Sequence, residues 1–107
     1  MLRDPIAKDA AAQLARAAAS AAANYRAACL ARSHAEFRSK IGLTLEEADE
    51  SVFWIEFLRD AELSDHMNFE PLVSEGRELV RILGASKRTS TRHAAAHAKP
   101  KPGSRRQ

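Results

Sequence analysis

Residues 20–56 read SAAANYRAACLARSHAEFRSKIGLTLEEADESVFWIE, and this stretch decides the fold. An alanine-rich basic segment runs up to Arg32 and breaks at Ser33. Ser33-His34-Ala35-Glu36 has the S-x-x-E spacing of a capping box, in which the serine oxygen accepts from the backbone N–H at Glu36 and the glutamate reaches back. Beyond it, Phe37, Ile41, Thr44/Leu45, Ala48, Val52, Ile55 and Leu58/Arg59 recur about every 3.5 residues, the period of a helix with one apolar stripe. Glu46, Glu47, Asp49, Glu50 and Glu56 make the rest of that helix acidic. The stretch therefore predicts two helices joined at Ser33.

Upstream, the first helix is expected over residues 9–31, with Asp9 as its N-cap and residues 1–8 as a short lead. Asp4-Pro5 reads as the start of a turn, with proline suited to a first helical position. Alanine gives the segment high helix propensity. Leu14, Ala18, Ala21, Tyr25 and Ala28 follow a coiled-coil-like 4-3-4-3 spacing and are its expected seam. Asn24 and Tyr25 are read as a buried pair bonded into the second helix. Downstream, the second helix is expected over residues 34–61. Phe53, Trp54 and Phe57 widen its apolar arc beyond the needs of one neighbour. Gly42 inside it costs roughly 1 kcal/mol relative to alanine, which points to a close crossing there. Residues 63–70 read as a polar connection. Pro71 fits only a first helical turn, so a third helix is expected over residues 69–87, ending between Gly84 and Thr89. Its seam is Leu72, Gly76, Leu79 and Leu83, flanked by Val73, Val80 and Ile82. Residues 90–107 lack apolar periodicity and read as a disordered basic tail.

A chain of 107 residues is one domain at most, and its alanine and leucine content makes the class all-α. No apolar run approaches the ~18 residues of a membrane span. The opening MLRDPIAKD carries charges where a signal peptide needs an apolar core, which predicts a cytoplasmic protein. The lone Cys29 forms no internal disulfide, in keeping with a reducing compartment. The net charge of +3 is unevenly spread. Residues 87–107 hold seven Lys/Arg and no acid, so the part expected to fold is net acidic.

The middle of the chain resembles a bacterial family of four-helix-bundle proteins, those related to the 23S rRNA intervening-sequence proteins. The resemblance rests on Ala23-Asn24-Tyr25-Arg26-Ala27-Ala28-Cys29, Ala31-Arg32-Ser33, Ala35-Glu36-Phe37, Lys40-Ile41-Gly42, Glu47-Ala48-Asp49-Glu50, Trp54 and Glu56. It continues in Glu78-Leu79, Ile82 and Ala85-Ser86-Lys87-Arg88-Thr89. It implies an antiparallel up-and-down bundle that assembles as a ring-like homopentamer with no enzymatic activity. It also implies a further helix ahead of the first one here, so the chain supplies three helices of a four-helix fold. Accessory proteins of diversity-generating retroelements look similar. By that analogy RNA or DNA, and a reverse transcriptase, are possible partners.

Assembly is also expected on physical grounds. Alanine seams bury little area, and small cores rarely supply more than a few kcal/mol. Tyr25, Phe53, Trp54 and Phe57 are the candidate interface residues; burying a large aromatic contributes roughly 1.5–3 kcal/mol. Arg16, Arg26, Arg32, Arg38 and Lys40 form the candidate nucleic-acid stripe, suited to phosphate contact and weak in sequence preference. Each of them has the alternative of a solvated charge, and Arg26 or Arg32 could pair with Glu47 or Glu50. No catalytic, cofactor or metal site is expected. Cys29 reads as a small buried cysteine without a histidine at helical spacing, the acidic cluster lacks E-x-x-H, and His93 and His97 fall in the tail. A structural oligomer without nucleic acid, or a module completed by another protein, is the alternative function.

Overall fold

The computed structural model describes residues 4–62 and 67–97, which form three helices: α1 (Pro5–Cys29), α2 (His34–Asp60) and α3 (Glu70–His97). The protein is all-α. α1 packs along α2 and α3 packs along α2, while α1 and α3 do not pack on each other among the described residues. The result is a rod of 65 × 21 × 20 Å with α2 in the middle.

The Ser33 cap forms as its spacing predicts, with the Glu36 N–H donating to Ser33 Oγ at 3.0 Å. α1 begins earlier than expected. Asp4, not Asp9, is the N-cap, and its Oδ1 accepts from the N–H groups of Ile6 at 2.8 Å and Ala7 at 3.2 Å. Pro5 decides this: it stands at the first helical position, where its fixed φ suits a helix and its missing N–H costs nothing. α3 starts where Pro71 requires, with Asn68 Oδ1 accepting from the Glu70 N–H at 3.2 Å. It runs on to His97, past the expected end near residues 84–89. Ala94, Ala95 and Ala96 are strong helix formers and carry the helix through the Ser/Thr run before them. The remainder of the expected tail, residues 98–107, lies outside the described residues.

The α1 seam is also rephased. Ala7, Ala10, Ala17 and Ala28 are buried, with Leu14, Ala21 and Asn24 partly covered between them. Ala18 and Tyr25, placed in the seam by spacing, lie exposed. Asn24 bonds within its own helix, its Nδ2 donating to the Ser20 carbonyl at 3.0 Å and to Ser20 Oγ at 3.3 Å. The expected Asn24–Tyr25 pair into α2 therefore does not form.

Ala7 and Ala10 of α1, Leu58 of α2 and Phe69 ahead of α3 form one core cluster, with Leu14, Trp54, Ile55 and Phe57 against it. Phe69 was counted in the polar connection, yet it is buried. The close crossing is not at Gly42, where a Cβ would meet only the end of Lys87, at 3.7 Å from Nζ. It is at Gly76, where a Cβ would stand 2.7 Å from Val52 Cγ2. α3 meets α2 through Val73 and Gly76, with Val80 and Leu83 half-buried further along, while Leu72, Leu79 and Ile82 lie exposed.

Candidate nucleic-acid interface

The antiparallel path of the three helices sorts the charges by position along the rod. The 30–33 turn joins the end of α1 to the start of α2. The end of α3 lies at the same pole, since the His34 and His93 ring centroids are 4.9 Å apart and Lys87 covers Gly42. Residues 26–40 and 85–97 therefore share one end. They hold Arg26, Arg32, Arg38, Lys40, Lys87, Arg88 and Arg92, against the single acid Glu36. The rest of the described chain holds twelve acids and only Lys8, Arg16, Arg59, Arg77 and Arg81.

The two sets of cations differ in their partners. Four of the five in the acidic part are ion-paired: Arg16 with Glu47 and Glu50, Arg59 with Asp60 and Glu70, Arg77 with Glu56, and Arg81 with Glu78. Among the described residues, none of the seven at the basic pole makes an ion pair. Four of the five expected stripe residues, Arg26, Arg32, Arg38 and Lys40, are at this pole. Arg16 is not with them. It lies beside the acidic stretch of α2, and it takes the partners expected for Arg26 or Arg32. Lys87, Arg88 and Arg92 come from α3 and were not in the stripe; their place depends on α3 running past residue 89.

Arg16 bridges α1 to α2. Its Nη1 donates to Glu47 Oε2 at 3.0 Å and its Nη2 to Glu50. Glu50 Oε2 also accepts from the indole N–H of Trp54 at 3.1 Å. These bonds, that from Arg16 first and that from Trp54 second, hold the Glu50 carboxyl below its ordinary value, and the same pairing with Glu50 and then Glu47 raises Arg16. At the far end, Arg59 lowers Asp60 in the same way, with Nε to Oδ1 at 2.7 Å. The sign for Glu50 follows from linkage. A carboxylate lowered in the folded state adds stability that is complete above its ordinary value of 4.5 and is lost as pH falls through the lowered value. The thermal midpoint of Glu50→Gln is thus expected to lie below that of the native chain at neutral pH, and the gap to close in acid. A gap independent of pH would show that the carboxylate charge is not what matters.

The four candidate interface aromatics divide into two kinds. Trp54 and Phe57 are partly covered by the chain's own core, with rings 5.7 Å apart and edge to face. Phe53 and Tyr25 are each 53% exposed. Phe53 stacks edge-on to Trp54 at 4.9 Å and so presents one face outward. Cys29 is exposed rather than buried, since it follows the seam residue Ala28 and so lies about 100° round the helix from it. The Cys29 thiol, one helical turn from Tyr25, holds the phenol above its ordinary value. Among the described residues, no group of three or more His, Cys, Asp or Glu is placed to hold a metal ion. No helix among them is long and apolar enough to cross a membrane.

Comparison with curated proteins and with solved structures returned no match. The family model for 23S rRNA-intervening sequence protein matches residues 7–85. That span takes in α1 from Ala7, the Ser33 turn, α2 and α3 as far as Ala85; Lys87, Arg88 and Arg92 of the basic pole lie beyond it. A small all-α chain matched over most of its length, with the capped helical hairpin at the centre of the match, belongs to the 23S rRNA-intervening sequence protein family.

Proposed function

We propose that the protein is a non-enzymatic helical assembly module that binds nucleic acid through the phosphate backbone at its basic pole. One observation carries this reading: among the described residues the antiparallel fold collects seven Lys/Arg without an ion pair at one end, while four of the five elsewhere are held by acids. Unpaired cations on one surface attract phosphate without reading bases, and each phosphate neutralised adds to affinity and to its salt dependence. The sequence adds Lys99, Lys101, Arg105 and Arg106 beyond α3. Repetition of the pole in a homo-oligomer, a pentamer by the family resemblance, would multiply these contacts. The cytoplasm is the proposed compartment.

The outward apolar residues favour self-association. Phe53 on α2 and Leu72, Leu79 and Ile82 on α3 are all exposed, and an uncovered apolar stripe along a helix is an interface in waiting. The same residues support a second reading, a structural oligomer or a module completed by another protein, with no nucleic acid involved. Light scattering on a sizing column, followed by anisotropy titration of a labelled single-stranded RNA across a salt series, separates the two. The expected result is one closed oligomer whose log RNA affinity falls linearly with log salt, at about 0.7 in slope per phosphate contacted. An oligomer with no RNA affinity at low salt would leave the structural reading in its place.

A further inference from the structure

A groove of about 860 Å³ opens at the basic pole, between the first turn of α2 and the last turns of α3. Its floor is apolar, formed by Phe37 from α2 and by Ile82 and Ala85 from α3. The facing rings of His34 and His93 close one end. Arg88, Thr89 and Ser90 supply a guanidinium and two hydroxyls along its wall. Arg88 makes no ion pair with any described residue. A Cβ at Gly84 would lie 3.4 Å from its Nη1, so its guanidinium folds back along α3 over the glycine. The start of α2 adds a further pull on anions, because the N–H groups of His34 and Ala35 have no acceptor within the helix.

An aromatic and apolar floor beside a guanidinium and hydroxyls matches a planar base attached to a phosphate. We infer that this groove seats one nucleotide of a single-stranded nucleic acid, its base against Phe37 and Ile82 and its phosphate on Arg88. The inference rests on the proposed nucleic-acid role and gives it a point of contact with a base. Other occupants fit less well. Residues 98–107 carry four Lys/Arg and no acid, so the chain's own continuation is repelled. The acidic part of a second copy has half of its twelve described carboxylates already in ion pairs, and a carboxylate seated in the groove would leave the apolar floor wet. Stacking on one aromatic ring is sequence-tolerant and worth roughly tenfold in affinity, which fits a site that takes any base.

The test is an NMR titration of the full chain, following the Phe37 ring and the His34 and His93 imidazoles. The probes are adenosine 5′-monophosphate, inorganic phosphate and a five-nucleotide single-stranded RNA. The nucleotide is expected to move all three side chains and to bind about tenfold tighter than phosphate. The RNA is expected to displace it. Arg88→Gln, at an exposed position, should weaken both by about tenfold, and Phe37→Ala should reduce the nucleotide to the level of phosphate. If Phe37→Ala fails to fold, the Arg88→Gln comparison decides alone. Equal titration by nucleotide and phosphate, with Phe37 unmoved, overturns the groove. So does a nucleotide that the RNA fails to displace. Salt-dependent binding of longer RNA in either case leaves the backbone role standing; its absence removes both.

Discussion

Gly76→Ala is expected to lower the thermal midpoint by roughly 5–15 °C, the largest loss of the alanine changes at Gly42, Gly76 and Gly84. The added Cβ would stand 2.7 Å from Val52 Cγ2, closer than real contacts allow. Val52 cannot step aside: it is 6% exposed, and a β-branched side chain in a helix has one strongly preferred rotamer. Overpacking of this kind costs about 1–3 kcal/mol, and the gain in helix propensity returns up to ~1 kcal/mol. The net loss is about 1–2 kcal/mol. Gly42→Ala is the control, since its methyl meets only the flexible end of Lys87 at 3.7 Å. It is expected to stabilise by about 0.5–1 kcal/mol. The decisive variant is Val52→Ala/Gly76→Ala. Removing the valine methyls makes room for the alanine, so the pair should be more stable than the sum of the single losses by ~1 kcal/mol or more. Strict additivity in denaturant melts would mean that α2 and α3 do not meet at this point.

Neutralising three of the unpaired cations, as Arg32→Gln/Arg38→Gln/Arg92→Gln, should reduce the slope of log affinity against log salt by about 2 for single-stranded RNA. The corresponding loss of affinity at 0.1 M salt is about a hundredfold if the binding curves converge near 1 M. The fold should be unaffected, because none of the three makes an ion pair with another described residue and none is buried. Lys8→Gln, at the opposite end, is the matched control and should leave both quantities unchanged. Titration of the two variants beside the native chain at four or five salt concentrations measures both. If Lys8→Gln and the triple variant weaken binding alike per charge, the attraction belongs to net charge and not to the pole.

The helical hairpin was legible because its signals are local. Ser33 with Glu36 marks the start of α2, and Pro71 the start of α3, each through a bond or a missing donor within a few residues. The phase of α1 was not legible. Where almost every side chain is alanine, hydrophobicity does not distinguish one face from another, and a 4-3-4-3 spacing through Ala18 and Tyr25 fits as well as the one that is buried. The partner of Glu47 and Glu50 could have been found. Residues equally far from an antiparallel turn face each other, and Arg16 precedes the 30–33 turn by about as much as Glu47 follows it. Arg26 and Arg32 are too near the turn to reach. The basic pole was half legible: four members fall in one sequence segment, but Lys87, Arg88 and Arg92 join them only through tertiary packing and a longer α3.

Among the described residues α1 and α3 each pack along α2 and not along one another, and the cluster of Ala7, Ala10, Leu58 and Phe69 is where all three segments of the chain meet. A compact bundle melts as a unit, since every helix touches at least two others. Away from that cluster the layout is that of a short solenoid, for which stability is expected to be a sum over neighbouring pairs. A perturbation at the Val52–Gly76 crossing weakens the α2–α3 junction and leaves the Arg16–Glu47 clamp between α1 and α2 in place. The capped hairpin is closed by contacts near in sequence, and α3 past Phe69 is the arm joined to it through α2 alone. That arm carries Lys87, Arg88 and Arg92, so the grip of the basic pole on a polyanion is tied to the docking of one helix.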